Sequence, residues 1–371
     1  MKLSPLTVKR LKNFRRIRRA WWSLLALAAI FVFCMMAELV CPYDPMEVVD
    51  VKTLEKYRRN RVEKIYDVRT ARFNLLDSGE VVDFEGPADV AAAVRESPET
   101  APDGYDVKKF RHHGYTRFCL VPREPPAVSE KVLPPEEVSF PFPPCPEHPF
   151  GIDAGGRDVY SRVVYGMRIA LLFGLALAFW AMFTGLVIGA LEGYFGGKCD
   201  MILQRFTEIW SAMPFLYVMI FIGSTIGRGF IVLLICYAIF NWITVSYYMR
   251  AEFLRLRRRT FVEAAKVQGF SNFRIIFSQI LPNALTPLIT LFPFLLMGAI
   301  GSLAALDFLG FGLPPLTPSC GELMNQAQQF RWAWWLILFP AAALFIVMLL
   351  TVLVGEGLRD AFDPRQRSRL E

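Results

Sequence analysis

Long uncharged runs alternate with short charged stretches along this chain, and the runs have the length of membrane crossings. Six of them, at residues 20–40, 169–191, 209–227, 229–249, about 283–306 and 332–355, come near the roughly 20 apolar residues a helix needs to span a bilayer. Glu38 falls close to the end of the first run, where a charge costs less than at the centre. No small-residue cleavage site follows that run, so it is expected to remain as an anchor. The pattern changes between the first and second runs. Residues 53–68 read as an amphipathic helix, and 72–76 with 81–84 around Asp77-Ser78-Gly79 read as a hairpin. Pro87 then opens a helix through Val94, and 115–121 reads as a further strand. Ten of the 28 residues from Pro122 to Pro149 are proline, which predicts an extended, semi-rigid spacer. The expected fold is an all-α membrane protein with six transmembrane helices and a small α+β insertion between helices 1 and 2. Its parts are a basic arm at 1–19, a first transmembrane helix at 20–40, an α+β domain with its spacer at 41–150, and a core at 151–371 with five more spans and a charged loop at 250–283.

Composition agrees with a membrane location: 54% of the residues are hydrophobic, well above an ordinary soluble domain. The net charge of +7 is not pooled on one patch, so nucleic acid is not the expected partner. Topology explains the distribution better. The amino terminus, two loops and the carboxyl tail of a six-span chain hold 21 basic against 9 acidic residues, whereas residues 41–166 hold 17 against 22. Excess Lys and Arg mark the cytoplasmic side, so both termini are expected inside and residues 41–166 outside. Residues 1–19 carry eight basic and no acidic residues before Trp21 and Trp22, a composition suited to lying on anionic membrane lipid.

On the outer side stand Cys41, Cys119, Cys145 and Cys320, for which three connectivities are open. A bridge between Cys119 and Cys145 is the expected one. His112, His113 and His148 lack the spacing of a zinc site, so no metal is expected. Gly185, Gly189 and Gly193 share one helical face, which serves close helix packing and would equally serve a pore lining. Pro282, Pro287 and Pro293 invite kinks in the fifth span.

The most distinctive stretch lies between the fourth and fifth spans. Residues 260–268 are good helix formers, Gly269 suits the left-handed position that ends a helix, and Ser271 can cap the next one. Ala264 and Ala265 leave the backbone nearly bare for close approach of another protein, and Glu263 offers a charge. The pattern Glu263-Ala264-Ala265, then Gly269, then Leu281-Pro282 resembles the cytoplasmic coupling loop of ATP-binding-cassette importer permeases. The family pattern prefers Ile two residues before the Leu, and position 279 is Gln. The resemblance implies a short helix that docks on an ATPase subunit, with Glu263, Ala264, Ala265, Gly269, Leu281 and Pro282 as the coupling residues.

Three other stretches resemble the dipeptide and oligopeptide branch of the same family. They are residues 149–168, with Gly155-Gly156-Arg157-Asp158 and Arg162, residues 306–323, and residues 355–364. The first reads from its residues either as an interfacial anchor or as a substrate contact. The long segment between the first two spans departs from ordinary dipeptide permeases and is similar to the oligopeptide and microcin C type of Gram-negative inner membranes. The resemblance implies a type I importer core that imports peptides as one permease subunit. Its partners would be a second permease, two ATP-binding subunits and a periplasmic peptide-binding protein. No Gly-x-x-x-x-Gly-Lys-Ser/Thr stretch occurs, so ATP belongs to partner subunits and this chain is expected to carry no cofactor and no catalytic residue. A six-span receptor or channel with an outer sensory domain is the alternative, against which stands the lack of regularly spaced Arg within any run.

Overall fold

The computed structural model describes residues 13–57, 61–66, 71–86, 88–97, 102, 104–112, 115–123, 128–133 and 139–362. Most of the expected basic arm, Pro87, His113 and the tail beyond Phe362 lie outside them. The chain separates into two compact units, residues 51–138 and the remainder.

In chain order the helical unit begins with α1 (Arg18–Met35) and, after a break at Met36, the single turn α2 (Ala37–Val40). The smaller unit begins with α3 (Val51–Leu54) and a 3₁₀ turn at Glu55–Tyr57, followed by β1 (Arg61–Tyr66). The helix expected over 53–68 is therefore corrected. Residues 61–66 pair antiparallel with β6 (Val128–Leu133), with Arg61 opposite Leu133 and Tyr66 opposite Val128. Pairing with a distant strand overrides the local period, as is common for short segments. The same pairing corrects the spacer, since part of the proline-rich stretch is a strand.

The expected hairpin forms as β2 (Ala71–Leu76) and β3 (Val81–Glu85), closed by Leu76 N–H to Glu80 O at 3.0 Å. After α4 (Ala88–Glu96) come β4 (Tyr105–His112), which the sequence pattern did not disclose, and β5 (Tyr115–Pro122). The sheet order is β3-β2-β5-β4. Val90 and Val94 of α4 pack on Ala71, Phe73, Phe118 and Leu120, so one face of the sheet is covered.

Back in the helical unit, α5 (Val159–Phe195) is capped by Asp158, whose Oδ2 accepts the Ser161 N–H at 2.7 Å. Its 37 residues run about 55 Å, longer than the roughly 30 Å of a hydrocarbon core. α6 (Gly197–Ser211) and α7 (Phe215–Thr225) meet at 70° before Pro214. α8 (Phe230–Leu256), α9 (Thr260–Val267), α10 (Asn272–Arg274), a π turn at Ile275–Ile280 and α11 (Leu281–Phe308) follow. The unit closes with α12 (Cys320–Gln329) and α13 (Trp335–Phe362). Among the described residues five helices are long and apolar enough to cross a membrane, and the bent α6–α7 pair, over the third apolar run, makes a sixth candidate if counted as one span.

Phe173, Tyr237, Ile300 and Trp335 sit in the main core of this unit. α5 and α8 touch along the glycine stripe. A Cβ at Gly185 would stand 2.5 Å from Val245 Cβ, at Gly189 2.5 Å from the Ser246 carbonyl, and at Gly193 2.5 Å from Phe253 Cβ. Packing therefore accounts for the stripe. α11 runs unbroken through Pro287 and Pro293, and Pro282 lies in its first turn, where a missing N–H costs nothing. All seven cysteines are free, which corrects the expected Cys119–Cys145 bridge.

Candidate functional site

The segment between α8 and α11 is an exposed, tightly capped helix-turn-helix. α9 turns Val262 and Ala265 inward, where they are buried with Phe253, Ile275, Ile280 and Ala284. Glu263, Ala264 and Gly269 are exposed, Leu281 is half-buried and Pro282 is exposed. The expectation for Ala265 is corrected: its small size serves packing within this chain, and Ala264 is the bare position that faces outward. Gly269 has φ +76° and open space about it. Its N–H donates to the Lys266 carbonyl at 3.0 Å, and the Phe270 N–H reaches the Ala265 carbonyl at 3.1 Å, closing the helix end. Ser271 then caps α10, its hydroxyl accepting the Arg274 N–H at 3.3 Å.

Two hydrogen bonds to Tyr194, at the end of α5, tether this segment. Tyr194 donates from its hydroxyl to Asn272 Oδ1 at 2.7 Å. Arg257 donates to the Tyr194 carbonyl at 3.2 Å. Arg250 of α8 forms a two-pronged pair with Asp200 of α6, at 2.6 and 2.8 Å, which fixes those helices beside it. The outward surface is apolar and basic together: Val267 is 89% exposed and Phe273 71%, next to exposed Arg258, Arg259 and Arg274. Sequence reading missed Tyr194, Asn272 and Phe273. The available signal was an aromatic residue at the end of a span and exposed Phe in a charged loop.

At the opposite end of α5 lies a buried polar knot. Arg162 is fully buried and donates to Asp153 Oδ2 at 2.9 Å, to Glu322 of α12, and to the Thr317 carbonyl at 3.4 Å. Gln326 bonds Glu322, and its Oε1 accepts the Ala154 N–H at 3.0 Å. Asp153 Oδ1 accepts the N–H groups of Gly155 and Arg157, each at 2.8 Å. Burial pushes the Glu322 carboxyl above its ordinary range, with Arg162 pulling against it. The Gly155–Arg162 stretch is thus a structural clasp joining residues 153–162 to 317–326. His148 is also internal, 2.9 Å from Asp158. Among the described residues no cluster of three or more His, Cys, Asp or Glu could hold a metal ion.

Apolar helices of spanning length, with an exposed capped turn between two of them, define a multi-pass helical membrane protein. The chain belongs to the family of binding-protein-dependent transport system inner membrane components, whose model matches residues 169–368. It is 34% identical to the peptidoglycan transport system permease protein YejE of Agrobacterium fabrum, over 99% of this chain and 95% of that one. It is equally 34% identical to the inner membrane ABC transporter permease protein YejE of Escherichia coli K12, over 98% and 99%. The dipeptide transport system permease protein DppC of Alkalihalophilus pseudofirmus is 38% identical over 61% of this chain and 74% of its own length. Members of this family are transmembrane permease subunits of ATP-binding-cassette systems and not enzymes.

Proposed function

We propose that this chain is one permease subunit of an ATP-driven importer and forms, with a second permease, a path for oligopeptides or peptide-like compounds such as microcin C. The relatives named for peptidoglycan and dipeptide transport support the cargo class. In this reading the protein sits in the cell inner membrane with both termini cytoplasmic and residues 41–166 periplasmic. A periplasmic peptide-binding protein delivers the cargo, and the unit at 51–138 modulates its docking. Two separate ATP-binding subunits hydrolyse ATP, and no cofactor binds this chain.

The observation that carries the coupling role is the exposed turn at Gly269, tethered by Tyr194 and Arg257 to the inner ends of the long helices. Glu263, Ala264 and Gly269 meet the ATPase cleft, with Val267 and Phe273 as apolar contacts. Leu281 and Pro282 set the start of α11, and Ala265 acts from within by seating the helix. Uptake of labelled peptides in a strain lacking this chain, restored by plasmid copies, tests the reading. Uptake that persists without the ATPase subunits would overturn it.

A further inference from the structure

The covered face of the four-stranded sheet carries its core, and the uncovered face carries a cavity of about 390 Å³. It is lined by Arg72, Phe110, Arg111, Tyr115, Arg117 and Cys119. The register explains the grouping. Along β5, Phe118 and Leu120 turn to the core, leaving Tyr115, Arg117 and Cys119 on the other side. Arg72 of β2 stands opposite Cys119, and Phe110 of β4 stands opposite Arg117, whereas Arg111 stands opposite Thr116 and its side chain alternates to the other face.

The guanidiniums of Arg72 and Arg117 thus share one face of the sheet and one cavity, and none of the described residues lining it is a carboxylate. Arg117 spends one donor on Asn74 Oδ1 at 3.1 Å, while Arg72 and Arg111 make no ion pair among the described residues. Glu85, opposite Arg72 in register, does not pair with it, and Asp106 is taken by Arg123 at 2.7 Å. Like charges gathered this way repel unless a counter-charge arrives. Guanidinium forks fit carboxylates two bonds at a time.

Two neighbouring features select a peptide over a bare anion. The Phe110 ring is 59% exposed beside the cations, a surface for an apolar side chain. Among the described residues β4 is also an edge strand, where a peptide main chain can add to the sheet. The volume lies in the range of small-ligand sites, roughly 300–1,000 Å³. We infer that this cavity binds a short peptide bearing at least two carboxylates, held by Arg72 and Arg117 with Phe110 against its apolar part. This inference stands apart from the transport reading, because binding is read with no ATPase subunit and no uptake.

The test uses the full chain in lipid nanodiscs and calorimetric titration with the tripeptide Ala-Glu-Glu, its uncharged counterpart Ala-Gln-Gln amide, and inorganic phosphate. Saturable binding of the acidic peptide is expected, at least tenfold weaker for the amide and tenfold weaker in the Arg72→Gln/Arg117→Gln variant. Equal affinity for the two peptides, an undiminished affinity in the variant, or phosphate binding as tight as the acidic peptide would each overturn it. A second readout needs no variant. The acidic peptide should slow alkylation of Cys119 several-fold in the wild-type protein and leave Cys145 unchanged, and absence of that protection also refutes the site.

Discussion

Tyr194 and Asn272 are 78 positions apart in sequence and joined by a hydrogen bond of 2.7 Å, so the end of α5 directly holds the first residue of α10. Loss of one such bond costs about 1 kcal/mol. Tyr194→Phe is expected to raise hydrogen exchange across residues 260–280 and to lower ATPase stimulation in the assembled complex, with the amount of protein in the membrane unchanged. Unaltered exchange in that segment would contradict the tether.

Gly269 offers a substitution in which backbone strain acts alone, because nothing lies within 4 Å of a Cβ there. Gly269→Val should cost roughly 1–2 kcal/mol at φ +76° and misdirect α9, reducing ATPase subunit recovered on co-purification. Gly269→Asn, which tolerates the left-handed region, should retain most of it.

Ala264 and Ala265 should separate docking from folding. Ala264→Trp adds bulk on the exposed side and is expected to abolish co-purification at unchanged thermal stability. Ala265→Trp overfills a buried site and should destabilise the protein by about 1–3 kcal/mol, visible as a lower unfolding midpoint in detergent.

The clasp at Arg162 predicts a pH effect with a defined sign. The Glu322 pKa is raised above 4.5 by burial, so the folded protein holds that proton more tightly than the unfolded chain does. Its contribution is fully present in acid and is lost as pH rises through the raised value. Glu322→Gln should flatten that part of a stability profile measured from pH 4.5 upward. Arg162→Met leaves Asp153 buried without its partner and should cost roughly 3–5 kcal/mol, and Arg162→Lys should not restore the two-sided bonding.

Gly189→Leu should part α5 from α8 and lower the unfolding midpoint, while Gly298→Leu, where nothing lies within 4 Å of a Cβ, should not. Equal midpoints for the two variants would remove the packing role of the stripe.

The helix ends around Gly269 and Ser271 were readable because capping chemistry is local, and the apolar runs because spanning length is a local count. The bend before Pro214 was not readable, since the run from 209 to 227 carries no charge to mark it. β1 was missed because its partner lies more than sixty positions away, at Val128–Leu133. Arg162 read as an interfacial cation because its acids come from both sides of the sequence, Asp153 nearby and Glu322 far off. Ala265 was assigned to a partner because size alone does not tell which side of a helix faces its own core.

α5 places Arg162 and Tyr194 on one helix, thirty-two positions apart, a span of about 48 Å at helical rise. The clasp grips one end of that rod, and the helix-turn-helix at residues 260–280 hangs from the other. A tilt of only about 3° over that length carries the far end roughly 2.5 Å, nearly the length of the Tyr194–Asn272 bond itself. A shift at the Arg162–Glu322 clasp would therefore be passed to the Asn272 tether by the rod itself.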